Sequence, residues 1–187
     1  MLPEIVILVV VVLIVLFVVS VYNGLVTKRN RVDEGNSQIQ VQLKRRHDLI
    51  PNLVNAVKGY MDFEKSVLVT VTEARGNAIS AGTQGVAAQA QAENVLTGAL
   101  KSLFAVVENY PDLKANQNVM ALQEQLTTTE NQISFARQNY NACVLQFNNA
   151  IQVFPAVLIA GPMGFSKREF FTAEPEAAEV PVVNLGS

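Results

Sequence analysis

From Ile5 to Tyr22 the chain reads IVILVVVVLIVLFVVSVY, a run without a charge that is interrupted only by Ser20. Wound as a helix it rises about 27 Å at about 1.5 Å per residue, close to the hydrocarbon thickness of a bilayer. Valine slightly disfavours a helix in water, but in lipid the backbone must satisfy its own hydrogen bonds and the helix wins. Ile5, Leu8, Leu13, Phe17 and Tyr22 mark this expected span, and Leu25 and Val26 leave room for tilt. A cleaved signal peptide would want a positive leading region and a small-x-small cleavage site. Here Met-Leu-Pro-Glu comes first, Ser20-Val21-Tyr22-Asn23-Gly24 makes a poor site, and no lipobox cysteine is present. An uncleaved anchor over residues 1–26 is therefore expected.

The flanks set its orientation. Glu4 stands on one side; Lys28, Arg29 and Arg31, then Lys44, Arg45 and Arg46, stand on the other. The positive-inside rule counts lysine and arginine, so the long C-terminal part is expected in the cytoplasm of a single-pass protein. Lys28, Arg29 and Arg31 are the candidate headgroup contacts. Ser20-x-x-x-Gly24 is a small-xxx-small pair of the kind that lets two spans approach closely.

Composition removes most chemistry before any motif search. The net charge of −2 offers no basic stripe for nucleic acid. Cys143 is the only cysteine and His47 the only histidine, which excludes an internal disulfide and a cysteine zinc cluster. A helical di-metal site wants Glu-x-x-His pairs, but Lys44 occupies the position three before His47. Glu64, Glu73, Glu93, Glu108 and Glu130 are scattered, and no Gly-rich phosphate loop, nucleophile elbow or zincin motif occurs. No catalytic, cofactor-binding or metal residue is expected.

Beyond the anchor, apolar residues recur at three- and four-residue steps in three stretches. The first carries Val32, Ile39, Leu43, Ile50, Val54, Val57, Met61, Leu68 and Val71, predicting a helix from near Asn23 to about Arg75 with a kink at Pro51. Residues 76–85 hold breakers and read as a loop. The second helix carries Val86, Ala90, Leu96, Leu100, Leu103 and Val107 and stops before Tyr110-Pro111. The third carries Val119, Leu122, Leu126, Ile133, Ala136, Tyr140, Val144, Phe147 and Ile151, with Asn116 as N-cap and Phe154-Pro155 as its end or a kink. The fold class is all-α: a transmembrane helix followed by an elongated antiparallel up-down bundle with coiled-coil-like packing over residues 27–160. Residues 161–187 read as a loose tail, with a short extended segment at 179–183.

Lys44-Arg45-Arg46 is the sharpest charged feature, a candidate interaction site together with Asp48. On a straight helix Arg45 lies roughly 30 Å past the span, several Debye lengths from the headgroups. The blander reading is a solvated face, with Lys44 and Asp48 as an i,i+4 pair. Pro51 reads as a tolerated kink. Tyr140-Asn141 and Phe147-Asn148 point to polar bonds between helices or simply to water.

Tyr22-Asn23-x-Leu25, Arg29-Asn30-x-Val32, the block Val41-Gln42-Leu43-Lys44-Arg45-Arg46-x-Asp48-Leu49-Ile50-Pro51-Asn52-Leu53-Val54 and Val57-Lys58-Gly59-Tyr60 resemble the LemA family of bacterial membrane proteins. So do Glu108-x-Tyr110-Pro111-x-Leu113-Lys114-Ala115, Leu122-Gln123, Thr129-Glu130, Ala136-Arg137, Phe154-Pro155, Gly164-Phe165 and Phe170-Phe171. Gly35-Asn36 departs from the pattern, where many relatives carry Ala-Trp, and so does Asn184-Leu185. The resemblance implies an antiparallel helical bundle on a single span in the bacterial inner (cytoplasmic) membrane, more than it implies an activity. Relatives are often encoded near membrane zinc proteases or TPM-domain proteins, and magnetosome membranes contain a homologue. The expected function is a self-associating membrane scaffold or adaptor without catalysis. The rivals are membrane organisation by direct anionic-lipid contact and an accessory role for a membrane protease. Expected partners are the lipid bilayer, further copies of the chain and a membrane protein such as a protease, with no nucleic acid.

Overall fold

The structure is a computed structural model that describes residues 2–60 and 64–171. The described residues are helical, with no strand among them: α1 (Leu2–Lys58), α2 (Lys65–Ala81), α3 (Val86–Val107), α4 (Pro111–Lys114), α5 (Gln117–Ala150) and α6 (Val157–Ala160). Met61 and the extended segment expected at 179–183 lie outside the described residues, as does residue 172 onward of the expected tail. Contacts divide the chain into two units, one from residues 1–39 and 136–169, the other from 40–135 and 170–187.

In the first unit α1 carries the apolar run. Its membrane-length window is not buried at all, so it is not the core helix of a globular domain. Beyond the apolar run the helix turns amphipathic and buries Leu25, Val32 and Ile39, while α5 answers with Ala136, Tyr140, Val144 and Phe147, and Ile151 is buried just after it. The two helices run antiparallel, since Asn139 Nδ2 donates to Gln38 Oε1 (3.3 Å) and Gly35 abuts Tyr140. A Cβ on Gly35 would stand 3.2 Å from the Tyr140 Cα, so the glycine lets the backbones approach. Residues 161–169, expected to lie loosely, are held on α5. Asn148 accepts from the Arg168 backbone N–H at 2.8 Å and donates to its carbonyl at 2.9 Å. The Tyr140 hydroxyl donates to the Glu169 carbonyl at 2.8 Å.

The second unit holds the main core, in which Ile50, Leu53 and Val57 of α1 meet Leu68, Val71 and Ala74 of α2, Leu96, Leu100 and Leu103 of α3, and Val119 and Leu126 of α5. The first helix does not run to Arg75. It ends at Lys58, with Gly59 and Tyr60 in a turn, and α2 continues to Ala81 through most of the expected loop. Ala74, Ala78 and Ala81 form the buried stripe there, while Gly76, Asn77 and Ser80 face water. Small apolar residues at helical spacing outweigh the breakers. Among the described residues the second unit therefore draws on four long helices, α1, α2, α3 and α5, up-down-up-down, in place of the expected three.

Pro51 lies within α1 without ending it. A proline there leaves the carbonyl of His47 without its usual N–H. Arg75 of α2 supplies the missing donor, its Nε standing 2.7 Å from that oxygen. Two other expected boundaries hold: α3 spans Val86–Val107, and Asn116 Oδ1 caps α5 by accepting from the N–H groups of Asn118 (3.0 Å) and Val119 (3.3 Å); α5 itself ends at Ala150, short of Phe154-Pro155.

Candidate functional site

The second unit buries a charged cluster in the middle of its core. Arg46 of α1 is 0% exposed, although a solvated face was expected for the whole Lys44-Arg45-Arg46 run. Its guanidinium bonds a carboxylate oxygen of Glu93 on α3 and one of Glu130 on α5. It also donates to Thr97 Oγ1 (2.8 Å) and to the Glu93 carbonyl (3.3 Å). Thr97 Oγ1 in turn has the Glu93 carbonyl and Glu130 Oε1 each 3.1 Å away as acceptors. His47 Nε2 stands 3.0 Å from one Glu93 oxygen and 3.3 Å from the other.

Helix geometry explains the convergence. Arg46 falls seven residues after Ile39 and seven before Leu53, so it points into the core with them. Glu93 lies three residues before Leu96 and seven before Leu100 on the buried stripe of α3. Glu130 occupies the gap between Leu126 and Ile133 on α5, next to the buried Thr129. Each of three apolar stripes is thus interrupted by a charged residue, and the bundle brings the three to one level. The missed signal was in the stripes: a residue at core spacing that is not apolar. A neighbouring amide pair repeats the theme, with Gln40 and Gln89 exchanging bonds of 2.8 and 3.0 Å.

Burial by itself would raise the Glu93 pKa. The hydrogen bond from His47 and the charge of Arg46 outweigh it and hold the carboxyl below its ordinary value. Glu93 is therefore an ionised, engaged carboxylate. Glu130 keeps a side-chain exposure of 36% and can reach water. Among the described residues no three His, Cys, Asp or Glu side chains are grouped to hold a metal ion. The cluster can do one thing well, which is to tie three helices together at a fixed height.

The other candidate residues are spread out. Lys44 Nζ bonds Asp48 Oδ2 at 2.8 Å on the exposed face, as the i,i+4 spacing predicts, and that bond lowers the Asp48 pKa. Arg45 is exposed and reaches Gln132 Oε1 only at 3.5 Å. In the first unit, Ile5, Leu8, Leu13, Phe17 and Tyr22 are exposed along α1. The Arg29 guanidinium lies over the Phe165 ring, 5.5 Å from its centroid, while Arg31 is exposed and Lys28 half-buried. Ser20 is exposed, and a Cβ on Gly24 would meet nothing.

The LemA family profile matches residues 35–185, and with it the bundle and the segments carrying Arg46, Glu93 and Glu130. The chain belongs to the LemA family. A protein named LemA from Metamycoplasma hominis is 28% identical, over 87% of this chain and 74% of its own length. The magnetosome proteins MamQ 2 of Paramagnetospirillum magneticum and MamQ of Magnetospirillum gryphiswaldense are each 25% identical, over 87% of this chain and 68% of theirs. With the unburied apolar helix, these relatives make this LemA-family chain a membrane-associated helical protein.

Proposed function

We propose that this chain is a non-catalytic, self-associating scaffold or adaptor anchored in the bacterial inner membrane, with its bundle on the cytoplasmic side. The observation that carries this reading is where the buried acids go. Glu93 and Glu130 converge on Arg46, so the charged groups inside the bundle serve its own assembly. Replacing such a network by apolar residues is often neutral or stabilising, so its use is better sought in register than in stability. A bundle fixed in register on a membrane tether suits presenting one rigid surface to partners. Lys28, Arg29 and Arg31 after the span support the cytoplasmic side.

Self-association is expected to run through the spans at Ser20 and Gly24, where a second backbone has room to approach. Gel filtration in mild detergent tests this. The wild-type chain should elute as an oligomer and Gly24→Leu should shift towards monomer; a strictly monomeric wild type would remove the claim. Crosslinking with mass spectrometry in native membranes tests the adaptor role, and a consistently empty partner set would count against it.

A further inference from the structure

We propose that the turn after α5, residues 152–164, is a second membrane contact that sets its apolar side chains into the interfacial layer beside the exit of the span. Val153, Phe154, Val157, Leu158 and Met163 are all exposed, Phe154 at 79% and Leu158 at 67%. No water-facing structural need accounts for so much apolar surface within one short segment. Its place within the first unit supplies the reason. Because α5 runs antiparallel to α1, its C-terminal end returns towards Tyr22, the last residue of the span. The chain then reverses in a Schellman turn. Gly164 takes φ +77°, Phe165 N–H bonds the Ala160 carbonyl at 2.9 Å, and Gly164 N–H bonds the Gly161 carbonyl at 3.0 Å. That reversal delivers Phe165 edge-on to Tyr22, with ring centroids 5.7 Å apart.

Charge and backbone agree with lipid as the occupant. Residues 138–166 contain no charged side chain, and Lys167 and Arg168 follow at once. Lys28, Arg29 and Arg31 follow the span in the same unit and suit anionic headgroups, while the Arg168 guanidinium is paired with Asp33 at 3.4 Å. The turn also satisfies its own backbone, with Val157 N–H on the Val153 carbonyl at 2.9 Å and Ala160 N–H on the Ala156 carbonyl at 2.8 Å. Pro155 and Pro162 bring no N–H to desolvate. A segment entering an apolar layer needs that satisfaction.

The chain has no tryptophan, so a single one reports its own surroundings. Phe154→Trp exchanges one aromatic ring for another at an exposed position, and Leu158→Trp serves as a second reporter should the first perturb folding. The full-length chain is reconstituted in phosphatidylcholine–phosphatidylglycerol vesicles with or without bromine on the acyl chains. Leu13→Trp reports the span, and Phe135→Trp, at a site 71% exposed in the other unit, reports a residue expected in water. Bromolipid should quench the emission at 154, 158 and 13 and spare 135. Quenching at 13 alone would overturn the proposal, as would a blue-shifted, unquenched emission at 154 and 158, which would assign the turn to a second protein copy. Equal quenching at 135 would show general adhesion and overturn it too. Quenching nowhere would remove the span itself and the turn's membrane contact with it.

Discussion

Replacing Arg46 with methionine keeps most of the side-chain volume and removes the charge that three helices share. Glu130 would lose its partner but can turn to water through its 36% exposure. Glu93, at 0% exposure, cannot, and only His47 would remain beside it. Breaking a buried ion pair from one side costs about 3–5 kcal/mol. That is a large part of the ~5–15 kcal/mol that holds a typical domain folded. With a urea slope near ~2 kcal/mol per molar, the unfolding midpoint should fall by about 2 M. The assay is urea denaturation of the full chain in detergent micelles, followed by far-UV circular dichroism.

The pH dependence separates this cause from simple loss of packing. In the wild type the folded Glu93 pKa lies below its ordinary value of 4.5, so its stabilising contribution is present above that value and fades as the pH falls through the lower folded one. Without Arg46 only His47 is left to oppose burial, and the folded pKa should rise. The variant is then worst at neutral pH, and its deficit shrinks as acid lets the buried carboxyl take a proton. Adding Glu93→Leu to Arg46→Met should recover most of the loss, because the stranded charge is gone. A neutral-pH deficit under about 1 kcal/mol, as for an exposed pair, or one that does not narrow on acidification, would refute the reasoning.

Arg75→Ala should destabilise by about 1.5–3 kcal/mol, because the buried His47 carbonyl loses a charged donor. In a Pro51→Ala background the new N–H of residue 51 can reach that carbonyl, so the same change should be milder; equal costs in both backgrounds would refute the compensation. Lys44→Ala should lower the unfolding midpoint only slightly while the Asp48 pKa rises towards its ordinary value, since the Lys44 hydrogen bond is the leading cause of its lowering. The small stabilising contribution above the unfolded pKa, lost as pH falls through the lower folded value, goes with it. A carbon-13 NMR titration of Asp48 reads this, and an unmoved pKa would sink it.

The exposed apolar helix at the start, α3, and the N-cap of α5 were legible because each rests on local physics: an uncharged run of bilayer length, an apolar stripe ending at Tyr110-Pro111, and an Asn116 side chain placed to accept two free N–H groups. The misplaced boundary between α1 and α2 has a different cause. The apolar spacing of Val57, Leu68 and Val71 can be drawn through a turn as easily as along one helix, and nothing local says that Arg75 must come back to the carbonyl freed by Pro51. That contact joins residues 28 positions apart, and it turns a proline that should weaken α1 into a fixed point between α1 and α2. The buried cluster was half-written in the sequence. Arg46, Glu93 and Glu130 each interrupt a stripe at core spacing, and a charge at such a position demands a partner of opposite sign at the same level on another helix. Taken separately each looks like a tolerated polar residue. Taken together, one cation and two acids on three facing stripes leave few registers in which none is stranded, so the interruptions themselves carry the alignment of the bundle.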